Sequence, residues 1–180
     1  MTSNKIVNNQ ILLLGHRAVG KSTLGKCISG LLSWPFIDLD EFLCNKFGFK
    51  NVNMAWKELG QSEWRLGEAR ALEICLNKSP VVIACGGGIL EGVLSLEIIS
   101  KYMPCCISLW ASDKTMIERR KNDNTRPLLA QSLQKEVKNI LPNRVHRIKK
   151  ASNFQFFTDN KTPQELSEMI IKELNLKILS

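Results

Sequence analysis

Near the N-terminus the apolar run Ile11-Leu12-Leu13-Leu14 leads directly into Gly15-His16-Arg17-Ala18-Val19-Gly20-Lys21-Ser22-Thr23. Two glycines bracketing four residues, then a lysine and a hydroxyl side chain, make the spacing of a phosphate-binding turn. The glycines let the backbone turn tightly, so that consecutive N–H groups converge on phosphate oxygens. A helix opening near Lys21 adds the positive end of its dipole. Lys21 can reach the β- and γ-phosphates, and the Ser22 hydroxyl is suited to ligate the magnesium ion that bridges them. A buried-strand pattern before the turn and a helical pattern after it supply the context this motif requires. The loop is read as the seat of a nucleoside triphosphate.

A phosphate loop does not name the acceptor, so the remaining polar residues must. In "IDLDEF", Asp38 and Asp40 stand two apart at the end of an expected strand, where their side chains share a face. At the carboxyl end of a parallel strand that face opens into the ligand crevice, which favours one aspartate serving magnesium and the other a hydroxyl. The plainer alternative is an acidic strand-to-helix turn with Asp40 as the N-cap. In "GQSEWRLGEARALEICL", Arg65 and Glu68 stand three apart on an expected helix. They form either a solvated ion pair or an anion clamp, in which Glu68 holds the guanidinium and Trp64 flanks it. Gly86, Gly87 and Gly88 follow the next strand, where something must approach the backbone closely or φ must turn positive. "NDNTRPLLAQ", with its stiff Arg126-Pro127 step, reads as a hinged loop. "LPNRVHRIKKASN" places Arg144 and Arg147 on one helical face.

These residues need a frame. Apolar runs at 11–14, 35–39, 81–84, 105–110 and 154–157 alternate with longer helical patterns, as in a parallel sheet with helices on both faces. Continuous rather than alternating hydrophobicity fits strands buried on both sides. Thr162-Pro163-Gln164-Glu165 offers an N-cap, a proline at the first helical position and a capping-box glutamate, opening a last helix through about Leu174. Ser112 resembles another cap. The segments 41–70 and 121–132 fit the core pattern poorly, as a substrate-binding insert and a mobile lid would. At 180 residues and 44% hydrophobic, the chain is expected to be one α/β domain spanning residues 1–180. No apolar run reaches membrane-spanning length, and "MTSNKIVNNQ" lacks the layout of a secretory signal. The six cysteines show no Cys-x-x-Cys spacing, so reduced thiols in the cytoplasm are expected rather than a metal or disulfide framework. The net charge of +8 favours anionic partners without separating nucleic acid from small phosphorylated ligands. The basic segments lack the interleaved aromatics that stack bases, which argues against nucleic acid.

Taken in order, "GHRAVGKST", "DLD", "WRLGE", "CGGG", "RPLL" and "NR" resemble the shikimate kinase family from about Ile11 to the C-terminal helix. The resemblance implies a P-loop kinase three-layer fold of about five parallel strands, with an insert near 41–70 and a lid near 113–132. It implies MgATP-dependent phosphorylation of the shikimate 3-hydroxyl, in the route to chorismate and the aromatic amino acids. By the same resemblance Ala18, Val19, Gly20, Lys21, Ser22 and Thr23 cradle ATP, Ser22 binds Mg²⁺, and Asp38 supports the ion through water. Asp40 holds the acceptor hydroxyls, Gly87 lines the substrate, and Arg65 and Arg144 grip its carboxylate. Arg126 comes down from the lid onto the ATP phosphates, so that Lys21, Asp40 and Arg126 are the catalytic set. The expected partners are ATP and shikimate, with no nucleic acid, no membrane and a monomeric chain.

The sequence departs from the family pattern in places. Cys85 precedes the three glycines. A tyrosine expected four residues after the late arginine is Ile148, followed by Ser152-Asn153. Arg147 stands three residues from Arg144 and competes for the same role. The family's adenine-side arginine before the last helix is replaced by Lys161, which lacks a planar stacking surface. Ala18 stands where a further glycine is common. The rival readings are a P-loop kinase of another small hydroxyl acid such as gluconate or of a nucleotide, and a nucleotide-responsive nucleic-acid-binding module.

Overall fold

The computed structural model describes residues 9–121 and 132–178. Five parallel strands form one sheet: β1 (Gln10–Gly15), β2 (Phe36–Asp38), β3 (Val81–Ala84), β4 (Cys105–Trp110) and β5 (Phe154–Phe157), in the spatial order β2-β3-β1-β4-β5. All five lie where the apolar runs place them. Every residue of β1 and β3 is buried, because these strands are covered on both faces. Along β1 the alternation of side chains divides one apolar run between two cores: Ile11 and Leu13 face one side, Leu12 and Leu14 the other.

The Ile11 side is closed by α1 (Lys21–Leu32) and α8 (Pro163–Glu173), through Leu24, Ile28, Leu166 and Ile170. The Leu12 side is closed by α2 (Leu39–Phe47), α3 (Val52–Leu76) and α4 (Val93–Tyr102), through Leu43, Trp64, Leu72 and Ile98. Three further helices, α5 (Asp113–Arg120), α6 (Leu133–Asn139) and α7 (Leu141–Ala151), complete the described chain. Both expected caps are formed. Thr162 and Glu165 make the reciprocal capping box of α8, and Ser112 Oγ accepts from the Thr115 N–H at the start of α5.

One expectation needs correction. The run "FQFF" is not buried on both sides: as an edge strand, β5 alternates half-buried and exposed, and Phe157 is 66% exposed. The helix expected to carry Arg65 is formed, and it begins at Val52. At Gly60 (φ 76°, ψ 171°) the backbone leaves helical geometry, so the apolar positions of 52–59 and 61–76 do not keep one register. That break explains the poor fit of 41–70 to a core pattern, although Leu43, Ala55, Trp64 and Ala69 of this stretch are buried in the core. The first part of the expected lid is α5, whose Met116 and Arg120 are buried. Residues 122–131, and with them Arg126, lie outside the described residues. Among the described residues no helix is long and apolar enough to cross a membrane, and all six cysteines are free.

Candidate active site

Parallel strands deliver their carboxyl ends to one edge of the sheet, and the chemistry gathers there. β1 ends in Gly15 (φ 138°), where a Cβ would stand 2.5 Å from the Leu109 carbonyl oxygen of β4, so the loop can leave the sheet only through glycine. Gly20 (φ 95°) caps α1 in the left-handed region. Ala18 also lies there (φ 63°), a conformation that costs an L-residue about 1–2 kcal/mol and that glycine would relieve. Lys21 is buried, its Nζ donating to the carbonyls of Gly15 (3.0 Å) and His16 (2.6 Å). His16 is also buried; burial first, then Lys21 and Arg144, push its pKa down to about 3, so its ring stays neutral.

Asp38 and Asp40 do not share a strand face, as the sequence suggests. β2 stops at Asp38, which is itself the N-cap of α2: its Oδ1 accepts from the N–H groups of Asp40 (3.1 Å) and Glu41 (3.3 Å). Its other oxygen accepts from Ser22 Oγ at 2.5 Å. Asp40 falls in the first helical turn and, buried, lines a second cleft. The strand-to-helix turn therefore separates the two carboxylates into two sites.

That second cleft opens between Asp40, the three glycines, Arg17, Arg65 and Arg144. Arg65 is fixed from three sides. Its Nη1 donates to Glu68 Oε2 (2.5 Å), its Nη2 donates to Glu91 Oε2 (2.6 Å), and its guanidinium lies over the Trp56 ring at 5.5 Å from the centroid. The flanking aromatic is thus Trp56; Trp64 is packed into the core beside the cleft with 1% exposure. Burial works against the Arg65 cation, but Glu68 and Glu91 outweigh it and hold its pKa above the ordinary value. Glu68 is almost fully buried, and burial pushes its carboxyl up to about 7 against the pull of Arg65, with Asp40 adding to the rise. Arg65–Glu68 is a buried clamp, not a solvated pair.

The triple glycine is explained by close approach, since none of the three has positive φ. A Cβ on Gly86 would strike the Glu68 carboxylate and stand 2.7 Å from Asp40 Oδ1; one on Gly88 would land inside the Arg65 guanidinium. At Gly87 the nearest atoms belong to Arg17, at 3.4 Å, and Arg144, at 3.9 Å, so a side chain there would enter the cleft itself. On α7, Arg144 lines the cleft, with Nε donating to Glu91 Oε1 at 2.7 Å, whereas Arg147 is exposed. The two arginines do not share the functional face. Ile148 packs into the core, and Asn153 Oδ1 accepts from the Cys106 N–H (2.8 Å), stitching the start of β5 to β4. Cys85 is a core thiol whose pKa burial raises well above the ordinary value.

A separate cleft adjoins the phosphate loop, lined by Val19, Gly20, Thr23, Arg119, Lys161 and Pro163. Lys161 is exposed at its rim. Arg119 Nη1 donates to the carbonyl of Ala18 (3.1 Å) and to Thr158 Oγ1 (3.1 Å), which ties the loop to the end of β5. Arg120 Nη1 donates to Glu136 Oε1 at 2.8 Å, a buried pair that joins α5 to α6. Arg17, Trp56, Glu91 and Arg119 are the site residues that sequence reasoning missed. Glu91 had a signal, an acid three residues beyond a glycine-rich strand end; Trp56 had none, because the break at Gly60 hides its relation to Arg65.

A phosphate loop after the first strand, an aspartate facing its serine from the second, and a polar cleft beside them define a P-loop phosphotransferase. The family model for shikimate kinase matches residues 17–175. A shikimate kinase from a Sulfurihydrogenibium species is 30% identical over 164 residues, covering 91% of this chain and 96% of that relative. The chain therefore belongs to the shikimate kinase family. Among solved structures, a shikimate kinase from Acinetobacter baumannii in complex with shikimate superimposes with a TM-score of 0.88 at 20% identity, covering 94% of each chain. One from Aquifex aeolicus gives 0.78 at 28% identity, covering 92% of this chain and 96% of the other.

Proposed function

We propose that this protein transfers the γ-phosphoryl group of MgATP to the 3-hydroxyl of shikimate, a small ring with one carboxylate and three hydroxyls. The observation that carries this reading is the polarity of the acceptor cleft. A buried carboxylate, Asp40, lines it together with two guanidinium groups, those of Arg65 and Arg144. A ring acid gripped by its carboxylate would have its hydroxyls aimed at Asp40 and the phosphate loop. Gluconate and nucleotides also carry anionic groups that guanidinium can grip, so what favours shikimate over them is the family to which the chain belongs.

In this reading the residues at 18–23 hold the ATP phosphates, with Lys21 neutralising charge that builds on the transferring group. Asp40 orients the acceptor hydroxyl and takes its proton. Arg65 and Arg144 bind the carboxylate, and Gly87 keeps the floor of the cleft open. Lys161 and Arg119 border the nucleotide, and Arg126 closes on its phosphates from the lid. The Ser22–Asp38 pair fits Mg²⁺: two hard oxygens, 2.5 Å apart, beside the phosphate loop suit an ion that keeps waters and shares phosphate oxygens. Ser22 would ligate it directly and Asp38 through water; the ion would supply charge neutralisation on the β- and γ-phosphates.

A coupled ADP-release assay with shikimate, gluconate, quinate and AMP compared side by side tests the assignment. Turnover with shikimate alone is expected, and it should fall in kcat rather than in shikimate affinity for Arg126→Ala. Preference for any of the other three acceptors would overturn it.

A further inference from the structure

The two arginines assigned to the substrate carboxylate already share a carboxylate from the chain itself. Glu91 Oε2 accepts from Arg65 Nη2 at 2.6 Å, while its Oε1 accepts from Arg144 Nε at 2.7 Å and pairs with Arg144 Nη2 at 2.5 Å. One oxygen on each guanidinium is the arrangement that a substrate carboxylate would adopt between them. We propose that Glu91 is an internal competitor for the acceptor site, a built-in carboxylate that shikimate must displace and that sets the affinity of the site for its substrate. The inference rests on the acceptor reading above.

Burial says which partner yields. The side chains of Arg65 and Arg144 are 14% and 11% exposed, and Arg65 is further held by Glu68 and by the Trp56 ring. The Glu91 side chain is 26% exposed. It extends from a single 3-10 turn at Ile89–Glu91 that is held by its own backbone, the Glu91 N–H donating to the Gly88 carbonyl at 2.9 Å. Side-chain rotation can thus carry the carboxylate toward solvent without moving the turn. Arg65 would keep its clamp to Glu68, so losing Glu91 does not leave it unsupported. One carboxylate then replaces another, and the exchange is nearly balanced in hydrogen bonds and charge. What remains is a reduction in apparent affinity by the fraction of molecules whose arginines are open. The same contact would screen the paired guanidinium groups from other small anions, since any competitor must also displace Glu91.

Glu91→Gln tests this while retaining an acceptor oxygen for Arg144, and Glu91→Ala removes the side chain outright. A neutral amide holds guanidinium groups about half as strongly as a carboxylate. Calorimetric Kd and steady-state KM for shikimate should therefore fall about five- to tenfold in Glu91→Gln, with KM for ATP unchanged. Shikimate methyl ester, which has no carboxylate to compete, should show the same KM in both proteins; a merely structural role would move acid and ester together. Inhibition by acetate should strengthen in both variants. An unchanged or higher Kd for shikimate in Glu91→Gln, with the wild type phosphorylating shikimate normally, would overturn the role of Glu91 alone. Absence of shikimate binding and turnover in wild type and variants alike would instead overturn the acceptor assignment, and this inference with it.

Discussion

The Arg65 guanidinium occupies the space that a side chain at Gly88 would need: a Cβ there would stand 2.7 Å from Nη1, with Cζ and Nη2 nearer still. The third glycine is thus a steric condition for the arginine. Gly88→Ala should force Arg65 from its place between Glu68 and Glu91, at an overpacking cost of about 1–3 kcal/mol. A lower melting temperature and a rise in shikimate KM of about tenfold or more are expected, with KM for ATP spared. Gly87→Ala differs: its methyl enters open cleft, so KM should rise without loss of stability. Equal melting temperatures for the Gly88 variant and wild type would show that Arg65 has another seat.

Asp38 and Asp40 should separate by phenotype. Asp38 serves Ser22 with one oxygen and caps α2 with the other. Asp38→Ala should therefore cost about 1 kcal/mol of stability through the lost cap and also raise the Mg²⁺ requirement. Asp40→Asn should leave ATP binding intact and cut kcat by about 10²–10⁴, as expected when a positioned base is lost. Titrations of Mg²⁺ and steady-state rates on the two variants decide the matter; indistinguishable profiles would refute the division.

The arginines test the grip on the acceptor. Arg65→Lys keeps a charge but loses the planar fork that meets two carboxylates, so shikimate KM should rise while KM for ATP holds. Arg144→Ala should do likewise. Arg147→Ala, on the exposed side of α7, should be close to wild type. Wild-type enzyme should use the methyl ester poorly, and that penalty should shrink in Arg65→Ala. Equal rates for acid and ester in the wild type would end the carboxylate-clamp reading.

Stability should carry a signature of His16. Its folded pKa of about 3 lies below the ordinary 6.5, so between those values the unfolded chain binds more protons. Its contribution is complete above 6.5 and is lost as pH falls toward 3, with a slope of up to about 1.4 kcal/mol per pH unit. Glu68, raised from 4.5 to about 7, has the opposite slope: its contribution is complete below 4.5 and lost as pH rises through 7. Between 4.5 and 6.5 the two nearly cancel. The difference in urea midpoint between wild type and His16→Leu should therefore vary steeply between pH 3 and 6.5 and level off above. A difference constant across that range would show that His16 does not stay neutral.

Local rules reach far into this protein. The capping box at Thr162–Glu165 and the left-handed Gly20 that caps α1 are fixed by neighbours within a few residues, where propensity and turn geometry act without tertiary help. Strands β1, β3 and β4 were legible because burial on both faces leaves an unbroken apolar run, whereas the edge strands, half-buried β2 and alternating β5, carry a similar composition with less cover. The long helix α3 was not legible as one element, since a single left-handed glycine at position 60 destroys the periodicity by which helices are read.

By itself, the order of residues determined that a nucleotide's phosphates meet a loop after the first strand, and which side chains stand ready at the strand ends. It could not decide their pairing. That Asp38 turns to Ser22 while Asp40 turns to the cleft depends on where β2 gives way to α2. Whether Arg144 or Arg147 lines the site depends on how α7 rolls against β4, with Ile148 in the core. Glu91, 26 residues from Arg65 and 53 from Arg144, reaches both only because the sheet brings the end of β3 between α3 and α7. Contacts across such separations carry no local pattern; they exist because burying the apolar faces of those elements leaves one arrangement, and the charged groups meet where that packing puts them.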